Sequence, residues 1–393
     1  MRRARLTTYR NVSKSERGGR AGRSAAASSP EARSDLSFDP GMLPILNYGP
    51  ILPSAEHRIE GSDMNLDNSG PPQPARARRE ERPLTWDELR DRDPCIEASE
   101  PVPETLRHLW SDLSVARAVP DQTTRKGMGS PRERIAPHRP AWVSSAVRPV
   151  QAPRRLPPRL VHRGIPVDPL VVWGEDDRRS YDDTRYPWGC VCKILSSGKT
   201  GSGVLVGPRH VLTASHVVNW GGTAETIEVH RAGATAAATA RTVRRWTFTK
   251  ITGDPGASTV DEDYAVLVVD QRLGDRFGWM GVRTYDSAWD EEDWWWNIGY
   301  PDDVSAGLFP IYQRNKKLDE DAWDYGSGRA MTTAADLMPG QSGGPMFGFW
   351  SDGPFVVAVV SAVGNVFLTG TENYCSGGSD LTSLVSQARS GDP

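Results

Sequence analysis

The chain has 393 residues, of which 37% are hydrophobic and 25% charged, with a mean hydropathy of −0.52. That length allows about one to three domains, but the composition is too polar for a chain folded throughout, and no run of about 18 apolar residues exists, which excludes a transmembrane helix. The net charge of −3 hides an asymmetry: residues 1–168 carry 28 Lys and Arg against 21 Asp and Glu, and the remainder carries 19 against 29.

The first 35 residues are basic and rich in Ser, Ala and Gly, without the apolar core of about 7–15 residues that a secretory signal needs. Two short helices are predicted next. Thr85 precedes "WDELRDR" with Glu88 three residues later, a capping-box pattern. Within residues 103–117, Leu106, Leu109, Trp110 and Leu113 share one helical face. From 130 to 169 proline recurs every few residues, which rules out a long helix or a central strand. The arginines there alternate with proline and lack interleaved aromatics, so a solvated connector is expected and nucleic acid is not an expected partner. Residues 1–169 are thus expected to be a largely disordered tail or removable pro-segment, cut most readily between Arg154 and Arg163.

The pattern changes near Leu170. Short β-rich runs follow, punctuated by Gly, Pro, Asp and Asn: "GVLVG" (203–207), "HVLTA" (210–214), "TIEVHRA" (226–232), "RTVRRWTF" (241–248), "YAVLVVD" (264–270), "WWWNIGY" (294–300) and "FVVAVVSAV" (355–363). This spacing predicts an all-β domain over 170–393, an antiparallel barrel or sandwich. One helix is predicted at the end, with Asp380 as its cap and Leu381, Leu384 and Val385 on its apolar face.

Three residues in this domain form a pattern with chemical meaning. His216 stands at the end of a predicted hairpin, strand–Gly-Pro–strand, which holds an imidazole at one geometry. Asp263 leads directly into "YAVLVV", where the chain enters the core, whereas Asp261 and Glu262 read as solvated. Ser342 sits in "PGQSGGP", whose glycines permit the close backbone approach that an oxyanion pocket built from the N–H groups of Gly340 and Ser342 requires. Each alone has a bland reading: a structural histidine, an acidic turn, a glycine-rich loop. In the order His, Asp, Ser they match a nucleophile, its base and the carboxylate that orients the base.

"LTASHVV", "DYAVLVV" and "GQSGGP" resemble the histidine, aspartate and serine motifs of the chymotrypsin-fold serine peptidases. "GEDDRRSYDDTRYPWGCVCKI" (174–194), "NIGYPDD" (297–303) and "DLMPGQSGGP" are similar to the glutamyl-endopeptidase-like branch. The resemblance covers about residues 170–390. It implies two six-stranded antiparallel β-barrels with a C-terminal helix and a cleft between the barrels. His216 and Asp263 would come from the first barrel, Ser342 and the oxyanion hole from the second. It implies a serine endopeptidase acting on protein or peptide substrates outside the cell, as a monomer without cofactor or metal. The alternative is an inactive homologue serving as a binding module, and a separate attachment role for the tail is a further reading.

The chain departs from the trypsin pattern in several places. Val217 replaces the Cys after the histidine, Met338 the Cys four residues before the serine, and Gln341 the acidic residue that pairs with a new N-terminus on activation. The resemblance places the primary pocket at Asp336–Pro339 and on the strand from Ser361 to Gly364. Asp336 stands where trypsin-like enzymes bind Lys or Arg, and Ser361 where the glutamyl branch would have a histidine. Strict Glu specificity is therefore not expected; a basic or broad preference is. Cys190, Cys192, Cys375 and Cys95 permit two disulfides, with the pairing open.

Overall fold

In the computed structural model the described residues are 82–92, 95–107, 118–124, 126, 134–152, 161–162, 165–166, 176–320, 328–363 and 373–393. They belong to one compact unit, Ser69–Pro393.

Runs of Val, Leu and Ile broken by tight turns build the first sheet. Its strands are β1 (Val191–Ser196), β2 (Lys199–Leu205), β3 (His210–Thr213), β4 (Thr226–Ala232), β5 (Thr235–Thr247) and β6 (Ala265–Val269). They run in the order β5-β6-β3-β2-β1-β4, and β4 pairs back onto β5, closing an antiparallel six-strand barrel. Closure leaves no long exposed edge to be protected. The expected hairpin is present: Val204 faces Leu212 and Leu205 faces Val211 across the Gly-Pro turn. β6 is buried at every position because the barrel core covers one face and the C-terminal helix the other.

The second sheet comprises β7 (Trp295–Gly299), β8 (Ile311–Lys316), β9 (Leu318–Glu320), β10 (Gly328–Thr333), β11 (Pro345–Trp350), β12 (Gly353–Val363) and β13 (Asn373–Gly378). Their order is β9-β10-β13-β12-β11-β7-β8. Arg179–Ser180 pairs with β8 at the far end of this path, and β9 at the other end pairs only with β10 among the described residues, so this is a half-barrel rather than a second closed barrel. The C-terminal helix, α1, spans Ser379–Gly391 and buries Leu381, Leu384 and Val385 as predicted. Its cap is Gly378 at φ 90°, a conformation that glycine adopts without steric cost, so Asp380 lies in the first turn instead.

Several stretches before residue 170 pack on this body. The Thr85 capping box forms: the Thr85 hydroxyl accepts from Glu88 N at 3.2 Å and the Glu88 carboxylate accepts from Thr85 N at 2.9 Å. Leu84 and Leu89, flanking it, are buried in the main core. Asp121–Thr123 pair in parallel with Arg245–Thr247 of β5, and Arg134–Ile135 pair with Val282–Arg283. Of the helix predicted over 103–117 only Glu104–Arg107 is described, and residues 154–160 and 163 of the predicted cleavage stretch lie outside the described residues. All four cysteines are free thiols; Cys190, Cys192 and Cys375 are buried and Cys95 is exposed.

Candidate active site

The strand β3 delivers its C-terminal end to a short 3-10 turn, Ser215–Val217, which carries His216. Ser215 pins this turn: its hydroxyl donates to Thr249 O at 2.8 Å and accepts from Ile251 N at 3.1 Å. A second 3-10 turn, Val260–Glu262, immediately precedes Asp263, and β6 begins two residues later. β6 pairs with β3, Ala265 opposite Thr213, so the two turns lie side by side at one end of the barrel.

There Asp263 and His216 meet twice. Oδ1 of Asp263 accepts from His216 N at 2.9 Å, and Oδ2 lies 2.6 Å from His216 Nδ1. Asp263 is fully buried, while the His216 side chain keeps 15% exposure. A buried carboxylate with two bonds to one histidine fixes the tautomer: the proton resides on Nδ1 and leaves Nε2 as the acceptor. The sequence reading chose Asp263 over Asp261, and the contacts to His216 are Asp263's.

Ser342 lies in the turn leading into β11. Its neighbours seat this turn on the first barrel. Ser202 N of β2 donates to Ser342 O at 2.8 Å. Gly201 is wedged between the two motifs: a Cβ there would stand 2.6 Å from Val217 Cγ1 and 3.2 Å from Ser342 O. Gly343, at φ 82°, is pressed against Thr213, Ala214 and Ser202, where any side chain would collide. The serine turn thus abuts the strand end that carries His216.

The amides around Ser342 fall into two groups. Gln341 N donates to Met338 O, Gly343 N to Val360 O and Gly344 N to Gln341 O, at 2.7–3.0 Å. The N–H groups of Gly340 and Ser342 have no protein acceptor among the described residues. Gly340, at φ 93°, is fixed by its carbonyl, which accepts from the Ser202 hydroxyl at 2.7 Å, and it packs against Tyr300 O and Asp302. The Asp302 carboxylate beside it accepts from the Thr200 hydroxyl; burial pushes its pKa up, opposed by Thr200 and Lys193.

Gln341 is fully buried and bonded at both ends of its amide. Its Oε1 accepts from Met338 N at 2.9 Å and its Nε2 donates to Asn297 Oδ1 at 2.9 Å. A neutral pair from β7 holds the loop where the trypsin pattern has an acidic residue. Asp336 is buried, with Oδ2 accepting from Gln313 Nε2 of β8 at 2.8 Å. Ser361, expected on the pocket wall, instead directs its hydroxyl to Asp263 Oδ2 at 2.6 Å. Gly364 lies outside the described residues. Sequence reasoning missed the roles of Ser202, Asn297 and Ser361; for Ser361 the signal was a lone hydroxyl inside a buried apolar strand, which requires a partner.

Residues 201–356, which include His216, Asp263 and Ser342, match the trypsin-like peptidase domain family. Among solved structures, the chain is similar to a Glu endopeptidase in complex with MPD, with 19% identity, a TM-score of 0.46, and coverage of 56% of this chain and 100% of that one. It is also similar to the thermostable serine protease AL20 from an extremophilic microorganism, with 16% identity, a TM-score of 0.41, and coverage of 52% and 99%. The protease Anisep from Arthrobacter nicotinovorans gives 18% identity, a TM-score of 0.42, and coverage of 54% and 99%. No curated protein matches the chain in sequence. Over residues 201–356 the chain is similar to the trypsin-like peptidase domain, a likeness that supports peptidase function in general.

Proposed function

We propose that this chain is a serine endopeptidase that cleaves protein or peptide substrates through an acyl-enzyme. The observation that carries the reading is the pair of hydrogen bonds that buried Asp263 makes with His216 N and Nδ1, beside a serine turn seated on the same strand end. Ser342 Oγ attacks the scissile carbonyl. His216 Nε2 takes its proton and returns it to the leaving amine. Asp263 stabilises the imidazolium that forms between these steps. The N–H groups of Gly340 and Ser342 receive the developing oxyanion; one such donor is worth about 3–4 kcal/mol in the transition state. No step needs a cofactor.

Substrate choice rests on Asp336. Its carboxylate is buried and accepts from Gln313 Nε2. A buried carboxylate at this place favours Lys or Arg before the scissile bond over Glu, whose like charge it would repel. The reading is a basic or broad preference.

The test is peptide hydrolysis by the purified full chain. Ser342→Ala and His216→Ala should each remove most of the rate, and the double variant should lose little more, because the groups act as a unit. Asp263→Asn should keep the fold and lose about four orders of magnitude. A wild-type chain that binds peptides without cleaving them would favour a binding module. A library varying only the residue before the scissile bond tests specificity: dominant cleavage after Glu contradicts the pocket reading.

A further inference from the structure

The stretch 118–126 contains "AVPDQTTRK", a polar sequence with no periodicity, yet it is held by some of the most buried charges in the molecule. Asp121–Thr123 extend the sheet beside β5, with Arg245 N donating to Pro120 O at 3.1 Å and Thr124 N donating to Thr247 O at 3.0 Å. Arg245 is fully buried. Its guanidinium bonds Glu225 at 3.0 and 3.1 Å, Asp121 Oδ1 at 3.0 Å and Thr223 O at 2.6 Å. A buried guanidinium holds its place only with its donors satisfied, and here part of that satisfaction comes from Asp121.

Asp121 reaches further. Its Oδ2 accepts from Gly221 N at 2.9 Å and from Lys250 Nζ at 3.0 Å. Glu225, the other carboxylate on Arg245, accepts from Asn219 N at 3.1 Å. The loop 219–225 follows His216 by only a few residues, and Trp220 Nε1 ties it back to Ser215 O at 3.0 Å. The far end of the stretch touches the other motif. Lys126 pairs with Glu262, the residue before Asp263, and lies 3.7 Å from Asp380. Asp380 is buried with no hydrogen bond to its carboxylate among the described residues; burial raises its pKa, and Lys126 is the first of the cations opposing that rise. Thr124 is anchored to α1 by a 2.6 Å bond from its hydroxyl to Gln387.

We propose that residues 118–126 are a strap that stays on the enzyme, in which Asp121 and Lys126 are positioning residues for the loops bearing His216 and Asp263. This rests on the triad reading. Asp121 sets the loop after the base, and Lys126 sets the turn before the carboxylate. The region is thus a working part of the catalytic domain, and a cut downstream of it releases nothing.

Two measurements on the full chain test this. In the first, residues 153–160 are replaced by a recognition site for an exogenous protease and the chain is cut there. The two pieces should elute together by gel filtration with activity retained; departure of the N-terminal piece overturns a strap that stays on the enzyme. In the second, Lys126→Met should lower kcat about tenfold or more with KM within about twofold, and Lys126→Arg should restore it. Should Lys126→Met fail to fold, Asp121→Asn is read in the same way. Unchanged kcat in the folded variant overturns the positioning role. Labelling of Ser342 by a fluorophosphonate separates the two readings: an unlabelled wild type defeats the triad, whereas a labelled wild type and an equally fast Lys126→Met defeat only the strap.

Discussion

The Ser361 hydroxyl donates to Oδ2 of Asp263 at 2.6 Å, the same oxygen that faces His216 Nδ1 at 2.6 Å. Asp263 thus receives three donors while wholly buried. A hydrogen bond to a charged group contributes about 1.5–3 kcal/mol. Ser361→Ala should therefore lower kcat about ten- to a hundredfold through a weaker hold on the imidazolium, with KM little changed. Steady-state kinetics beside a melting curve checks this; a large KM effect with intact kcat would return Ser361 to the pocket wall.

The serine turn depends on two glycines whose backbones are left-handed, Gly340 at φ 93° and Gly343 at φ 82°. A side chain on Gly340 would run into Tyr300 O, and one on Gly343 into Thr213 and Ser202. Gly340→Ala should shift the oxyanion donor and cost about a hundred- to a thousandfold in kcat. Gly343→Ala should cost stability as well, on the order of 1–3 kcal/mol of backbone strain plus the clash. Thermal melts and peptide hydrolysis on both variants separate the two effects.

Gln341→Glu makes the neutral lock pH-dependent. One carboxylate oxygen would still accept from Met338 N, but the other would face Asn297 Oδ1, and an Asn297 flip would leave Pro345 O without its donor. The protonated acid can donate where the carboxylate cannot, so the folded-state pKa of the new group is raised. The penalty is then absent below the ordinary Glu value near 4 and grows above it, reaching about 1–3 kcal/mol at neutral pH. Melting temperatures of variant and wild type should converge at pH 4 and diverge at pH 7.

His210 gives the wild type an acid sensitivity of its own. Burial lowers its pKa to about 4, with Arg389 and Arg209 adding to the effect and its bond to Ala388 O opposing it. The unfolded chain binds this proton more readily, so the stability of the neutral form is complete above about pH 6.5 and is lost as pH falls toward 4. The loss amounts to about 3 kcal/mol. Unfolding free energies measured at pH 7 and pH 4.5 should show a smaller drop for His210→Gln than for wild type.

The barrel strands were legible because Val, Leu and Ile runs between tight turns have few other uses. "TIEVHRA" marks β4 from end to end, and the Thr85–Glu88 spacing marked a real capping box. His216, Asp263 and Ser342 were legible because each motif couples chemistry to a strand boundary. The strand at Asp121–Thr123 was not, since three polar residues carry no period and their pairing depends on Arg245, more than a hundred positions away. Ser361 was misplaced for a related reason: a strand pattern says which face is buried but not which buried group waits there. Asp380 read as a cap because its residue type fits one, whereas Gly378 supplied the backbone angle that the helix entry required.

The most direct test of the triad is labelling of the intact chain with a fluorophosphonate, followed by mass spectrometry of the modified peptide. The account predicts stoichiometric modification at Ser342 in wild type, none in Ser342→Ala, and labelling slowed by orders of magnitude in His216→Ala, because attack requires the base that Asp263 holds in place. A folded wild-type chain that remains unlabelled, or one labelled at another serine, would contradict it.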